Sequence, residues 1–92
     1  GKRQMTGNKT VEEIAKINPS ALVCEGFDEA IIGWGAQHGS EPVIIYDYLA
    51  CLKVLMRDND WDMDEAGEWM EYNVVNSYAG KGTPIFMLRG EE

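Results

Sequence analysis

Apolar residues return every three or four positions in some stretches of this chain and crowd together in others, and that contrast predicts its elements. In "TVEEIAKINP", Val11, Ile14 and Ile17 share one helical face, Thr10 stands where a cap belongs, and Glu13 can reach back from the third helical position. Pro19 ends this helix after about two turns. "ALVCEGFDEAIIGWG" is apolar and rich in β-branched and aromatic residues; a strand is predicted over 27–34, with Phe27, Glu29 and Ile31 on one face and Asp28, Ala30, Ile32 and Trp34 on the other. The polar link "AQHGSEP" leads into a second strand, "VIIYDY", so the pair is expected to form an antiparallel hairpin.

Asp47 is placed to cap the following helix, "YLACLKVLMR", whose charges Lys53 and Arg57 lie four residues apart and mark a wet edge on an otherwise core-facing element. A further helix is predicted over about 63–78, with Met63, Ala66, Met70, Val74 and Ser77 in one stripe and Glu68 and Glu71 outside it. "GKGTP" closes it, and "IFML" supplies a third short strand. The order α-β-β-α-α-β defines an α+β fold: a small antiparallel sheet, hairpin plus C-terminal strand, with about three helices on one face. Residues 1–9 are expected to be a flexible tail and 10–92 a single domain, the size 92 residues allow.

Charge narrows the functional classes. The net charge is −8, and residues 17–80 hold twelve acidic groups against two basic ones, Lys53 and Arg57. Phosphate recognition needs clustered Lys and Arg, so direct nucleic-acid binding is not expected. No apolar run reaches the ~20 residues that span a bilayer, and the N-terminus lacks a signal-peptide stretch, which together imply a soluble protein of the cytoplasm. Cys24 and Cys51 lie within apolar runs and read as small buried hydrophobes in a reducing compartment.

"RDNDWDMDEAGEWME" carries the strongest chemical pattern. Counted from Asp60, a twelve-residue calcium loop would have Asp60, Asp62 and Asp64 at positions 1, 3 and 5, Glu68 at 9 and Glu71 at 12. Glu65 then occupies the place of the turn glycine, and Gly67 falls where an apolar residue belongs. A helix start uses the same residues better: Asp62 caps, Glu65 closes a capping box, and Asp64 and Glu65 favour the positive end of the dipole. Asp60, Asp62 and Asp64 are kept as a weak divalent-cation candidate.

Other candidates are set by residue type. His38, the single histidine, lies in the link between the strands, where a base or a partner contact could sit. No nucleophile is tied to it by a motif, catalytic residues are not assigned, and no cofactor is expected. Asp28, Glu29 and Asp47 could form a carboxylate pair of raised pKa, against the ordinary uses of cap and solvated strand face. "GWG" at 33–35 is too short to cradle phosphate and marks a bulge or strand end. Trp69 and Tyr72 lie off the core stripe of the last helix and, beside Glu68 and Glu71, make an aromatic and acidic ridge of the kind that contacts proteins, with Trp34 and His38 as further candidates.

The blocks "GFDEAIIGWG", "VIIYDYLACLKVLM" and "DEAGEWMEYNVVNSYAGKGTPIF" resemble a family of small phage and bacterial proteins with a G-F-D-E-A strand, a Y-D helix start, an E-E-A helix and a G-T-P-φ-F ending, φ being apolar. The resemblance covers roughly two-thirds of the chain, with D-E-A replacing E-E-A at 64–66. It implies a phage or bacterial cytoplasmic origin, host cytoplasm if phage-encoded, and a shared fold without an activity to carry over. Three readings follow. An interaction or host-modulating module would use the acidic middle and the aromatics, in one form competing with nucleic acid for a basic groove. A small enzyme or metal-binding protein would use Glu29, Asp47 and His38. A homo-oligomeric structural module would close a two-fold dimer on the aromatic ridge. The first is preferred, with a host protein or a second copy as the partner.

Overall fold

Each element lies where its apolar side can be buried. A computed structural model describes residues 9–75 and 82–88. The elements run α1 (Lys9–Ile17), β1 (Ile31–Gly35), β2 (Val43–Asp47), α2 (Tyr48–Asn59), α3 (Met63–Met70) and β3 (Ile85–Met87). A 3-10 turn, Asp28–Ala30, leads into β1, and a π-helical turn, Glu71–Val75, extends α3. This is an α+β fold, with three helices and a three-stranded open sheet among the described residues.

The hairpin forms as expected. β1 and β2 pair antiparallel, with a bulge between Ile31 and Gly33. The third strand overturns the expectation of a wholly antiparallel sheet: β3 pairs parallel with β2, Tyr46 opposite Phe86, so the sheet is mixed, in the order β1-β2-β3. Two helices separate β2 from β3, which gives the chain room for the crossover that parallel pairing requires. The approach to β3 depends on Gly82. Its carbonyl accepts from the Leu22 amide at 3.0 Å, and a Cβ there would collide with the Ser20 carbonyl oxygen.

Ile44 and Tyr46 of β2 are fully buried, in one cluster with Ile14 of α1, Cys51, Leu52, Val54 and Leu55 of α2, and Ala66 and Met70 of α3. Phe86 packs on that cluster and stacks on Tyr46 at 5.5 Å. α2 is thus the central core helix, with Lys53 and Arg57 on its exposed edge. The other face of the sheet, Ile45 with Ile85 and Met87, stays outside the cluster. Asn18, the buried polar residue at the end of α1, donates from Nδ2 to the Pro42 carbonyl at 2.8 Å and accepts the Ser20 amide at 3.2 Å. It fastens α1 to the entry of β2.

Several sequence expectations shift locally. The strand predicted over 27–34 begins only at Ile31, because Asp28 and Glu29 are poor strand formers and the chain turns at Gly26, φ +92°, with Phe27 and Ala30 closing short-range bonds to Cys24 and Phe27. The two-face pattern drawn there is lost with it. Lys9, assigned to the tail, is helical, so Thr10 lies inside α1 rather than at its cap. Ile17 and Met63, both placed on core stripes, are 48% exposed, each at an end of its helix. Residues 1–8 of the expected tail, Ser77 and Tyr78 of the predicted last helix, and the start of "GKGTP" lie outside the described residues.

Candidate functional site

The acidic segment folds as a helix start. Asp62 caps α3: its carboxylate accepts the Glu65 amide at 2.9 Å while Glu65 Oε1 accepts the Asp62 amide at 2.9 Å, a complete capping box. Asp60 caps the other helix, standing in the left-handed region at φ 59° and donating its amide to the Met56 carbonyl at the end of α2. Asp60, Asp62 and Asp64 therefore belong to two helix ends and one first turn. Among the described residues no group of three or more His, Cys, Asp or Glu side chains is arranged to hold a metal ion.

The helix carries its second face outward. At about 100° per residue, Ala66 and Met70 point to the core, whereas Glu65, Glu68, Trp69 and Tyr72 fall at i, i+3, i+4 and i+7 on another side. Trp61, outside the helix and just ahead of the extended cap, joins them on the same side. These five residues line an open groove of about 320 Å³. Its floor is anchored: Trp61 and Trp69 both pack against the core cluster, and the Trp69 ring lies 6.3 Å from that of Phe27, tilted by 51°. Its rim is free to meet a partner, since Tyr72 is 77% exposed and Glu65 and Glu68 are exposed. Asn73 Nδ2 donates to the Trp69 carbonyl at 3.1 Å, engaging that carbonyl where the π-helical turn begins.

Of the six surface residues expected from sequence, Trp69, Tyr72 and Glu68 come together here and the other three do not. Glu71 is exposed and does not line the groove, and it is close enough to Tyr48 to help raise that phenol's pKa, an effect led by burial. Trp34 lies on β1, where its Nε1 donates to Glu13 Oε1 of α1 at 3.3 Å. His38 is exposed on the link between β1 and β2. A second cavity, about 420 Å³, opens beside that link between Gln37, Glu41 and Val43 and the Thr83–Ile85 segment, without His38 in its wall.

Trp61 and Glu65 are the residues that sequence reasoning missed. For Glu65 the signal was the same periodicity that located the core stripe, read on another side; Trp61 stands before an extended cap, where helical spacing does not reach.

The acids near the strands have structural uses. Arg57 grips Glu29 with both terminal nitrogens at 2.9 and 3.0 Å, and its Nε donates to Asp58 at 2.8 Å. Those hydrogen bonds hold the Glu29 and Asp58 carboxyls below their ordinary pKa values, the reverse of a raised carboxylate pair. Asp47 Oδ1 accepts the Ala50 amide at 3.1 Å and caps α2 as the sequence suggests. Cys24 and Cys51 are buried in the core without a disulfide between them, and burial pushes Cys51 up to about 12. A thiol so raised stays protonated at neutral pH and is a poor nucleophile.

Among the described residues no helix is long and apolar enough to cross a membrane. No protein-family model, curated protein or solved structure matches the chain.

Proposed function

We propose that this protein is an interaction module that contacts another protein through the groove on the outer side of α3. One observation carries the reading: Trp61, Trp69 and Tyr72, three of the chain's nine aromatic side chains, line a single solvent-open groove with two carboxylates. Large aromatics anchored from beneath supply contact energy at small cost in ordering, and flanking charges select the partner. In the setting implied by the resemblance to phage and bacterial proteins, the partner is a host protein.

The test is capture from bacterial lysate by the wild-type chain and by Tyr72→Ala and Glu68→Lys, with Lys16→Ala as a control on the opposite part of the sequence. The reading expects a specific captured protein that both groove variants lose and the control keeps. Equal capture by all four chains would contradict it.

A second reading, self-association, is favoured by a different surface. Ile85 and Met87 are each 38% exposed on the sheet face that lies outside the core cluster, beside half-buried Ile45. Light scattering distinguishes it: a dimer that Ile85→Lys converts to monomer supports this face as the contact, and a wild-type monomer at high concentration rules it out.

A further inference from the structure

We propose that the α3 groove receives a cationic side chain, the ammonium of lysine or the guanidinium of arginine, presented on a basic segment of the partner. This rests on the groove being a contact surface and specifies the chemistry that it reads. Two properties of the lining point the same way. Trp61, Trp69 and Tyr72 offer aromatic rings, whose faces attract cations, indole most strongly. Glu65 and Glu68 interleave with them on the same helical stripe, placing negative charge beside the rings rather than across the molecule.

The surrounding charge reinforces this. From Asp58 to Gly80 the chain contains seven acidic residues and no lysine or arginine; Arg57, just ahead of the segment, is engaged by Asp58 and Glu29 rather than by the groove carboxylates Glu65 and Glu68. An anionic partner would meet repulsion there, and a purely apolar one would leave carboxylates beside its buried surface. A lysine or arginine satisfies both halves of the lining, its stem lying along the rings and its head reaching the carboxylates.

Preorganisation favours the same occupant. Trp69 is held by Phe27 and by the core, Trp61 packs on the core just ahead of the cap, and Glu65 is held in place by the Asp62 amide. A cation arriving here meets side chains already set, with Tyr72, 77% exposed, at the rim.

The experiment follows the three tryptophan indole N–H signals by NMR while capped Gly-Gly-Lys-Gly-Gly, its arginine counterpart and its norleucine counterpart are added in turn. Trp34, outside the groove, is the internal reference. The proposal expects the lysine and arginine peptides to move the Trp61 and Trp69 signals and leave Trp34 still. The norleucine peptide should bind at least about tenfold more weakly, and Glu68→Gln should weaken the cationic peptides about fivefold. Norleucine binding as tightly as lysine would overturn the proposal while leaving the groove as an apolar contact. Absence of any shift with millimolar cationic peptide would overturn it as well. Failure of the broader interaction reading is registered separately, by lysate capture that ignores the groove variants.

Discussion

Asn18 shows how a single polar side chain can hold two elements in register. It is buried at 3% exposure, and its amide group serves two backbone partners at once, the Pro42 carbonyl and the Ser20 amide. Replacing it with alanine removes both hydrogen bonds and the tie between α1 and the entry of β2, so Asn18→Ala is expected to destabilise the fold by about 1–3 kcal/mol, read by urea denaturation. Sequence gave no warning of this role, because a lone Asn before Pro19 looks like an ordinary helix end. Its partner at Pro42 lies 24 residues away and can be seen only once the chain is folded.

Cys51 makes a second residue-scale prediction. Burial raises its thiol from 9.0 to about 12, and burial raises the Tyr46 phenol above its ordinary 10.0 as well. The folded state keeps protons that the unfolded chain releases, so this stability is complete below about pH 9 and is lost as pH climbs toward 12, at up to about 1.4 kcal/mol per pH unit for each group. Thermal melts between pH 8 and 12 should show the decline, and Cys51→Ala should make it shallower. A flat profile across that range would contradict the burial of both groups.

At the scale of elements, the capping box is the feature on which the site depends. Asp62 and Glu65 close it reciprocally, and Glu65 then lines the groove, so the residues that start the helix also orient its outer face. Asp62→Ala is expected to cost about 1 kcal/mol in thermal or denaturant stability. It should also loosen the groove, seen as faster amide exchange at Glu65 and Ala66. Calcium and EDTA should leave the melting temperature of the wild-type chain unchanged; a calcium-dependent rise would contradict the cap assignment of the aspartates.

Elements with local signals were legible. The capping box, the Asp47 cap and the hairpin each follow from residues close together in the chain; both caps stand where the spacing put them, and the hairpin forms with its first strand shifted to Ile31–Gly35. The direction of β3 was not legible. Nothing in "IFML" distinguishes parallel from antiparallel pairing, a choice made by how two intervening helices pack. Likewise "GFDEA" reads as the opening of a strand by its apolar flanks, yet the acids at 28 and 29 turn it into a 3-10 corner that buries Phe27 and Ala30. The groove was half legible: Trp69, Tyr72 and Glu68 stood out as residues off the core stripe, whereas Trp61 was concealed by the cap between it and the helix.

For the molecule as a whole, charge and shape converge on one side. The helices and one sheet face share a single core, and the outer side of α3 and the second sheet face are two of the apolar surfaces left outside it. The first sets three aromatics beside two acids, within a chain of net charge −8. A contact there should therefore weaken as salt rises, since about 1 M salt shortens electrostatic reach to roughly 3 Å, whereas a contact through Ile85 and Met87 should hold or strengthen.

The most direct test places a photo-crosslinking phenylalanine analogue at position 72 in the chain expressed in bacterial cells, with the same analogue at position 34 as control. The account predicts a discrete heavier adduct from position 72, absent from position 34 and suppressed by Glu68→Lys in the same chain. Adducts of equal yield from both positions, or none from position 72, would contradict the assignment of the α3 groove as the contact surface.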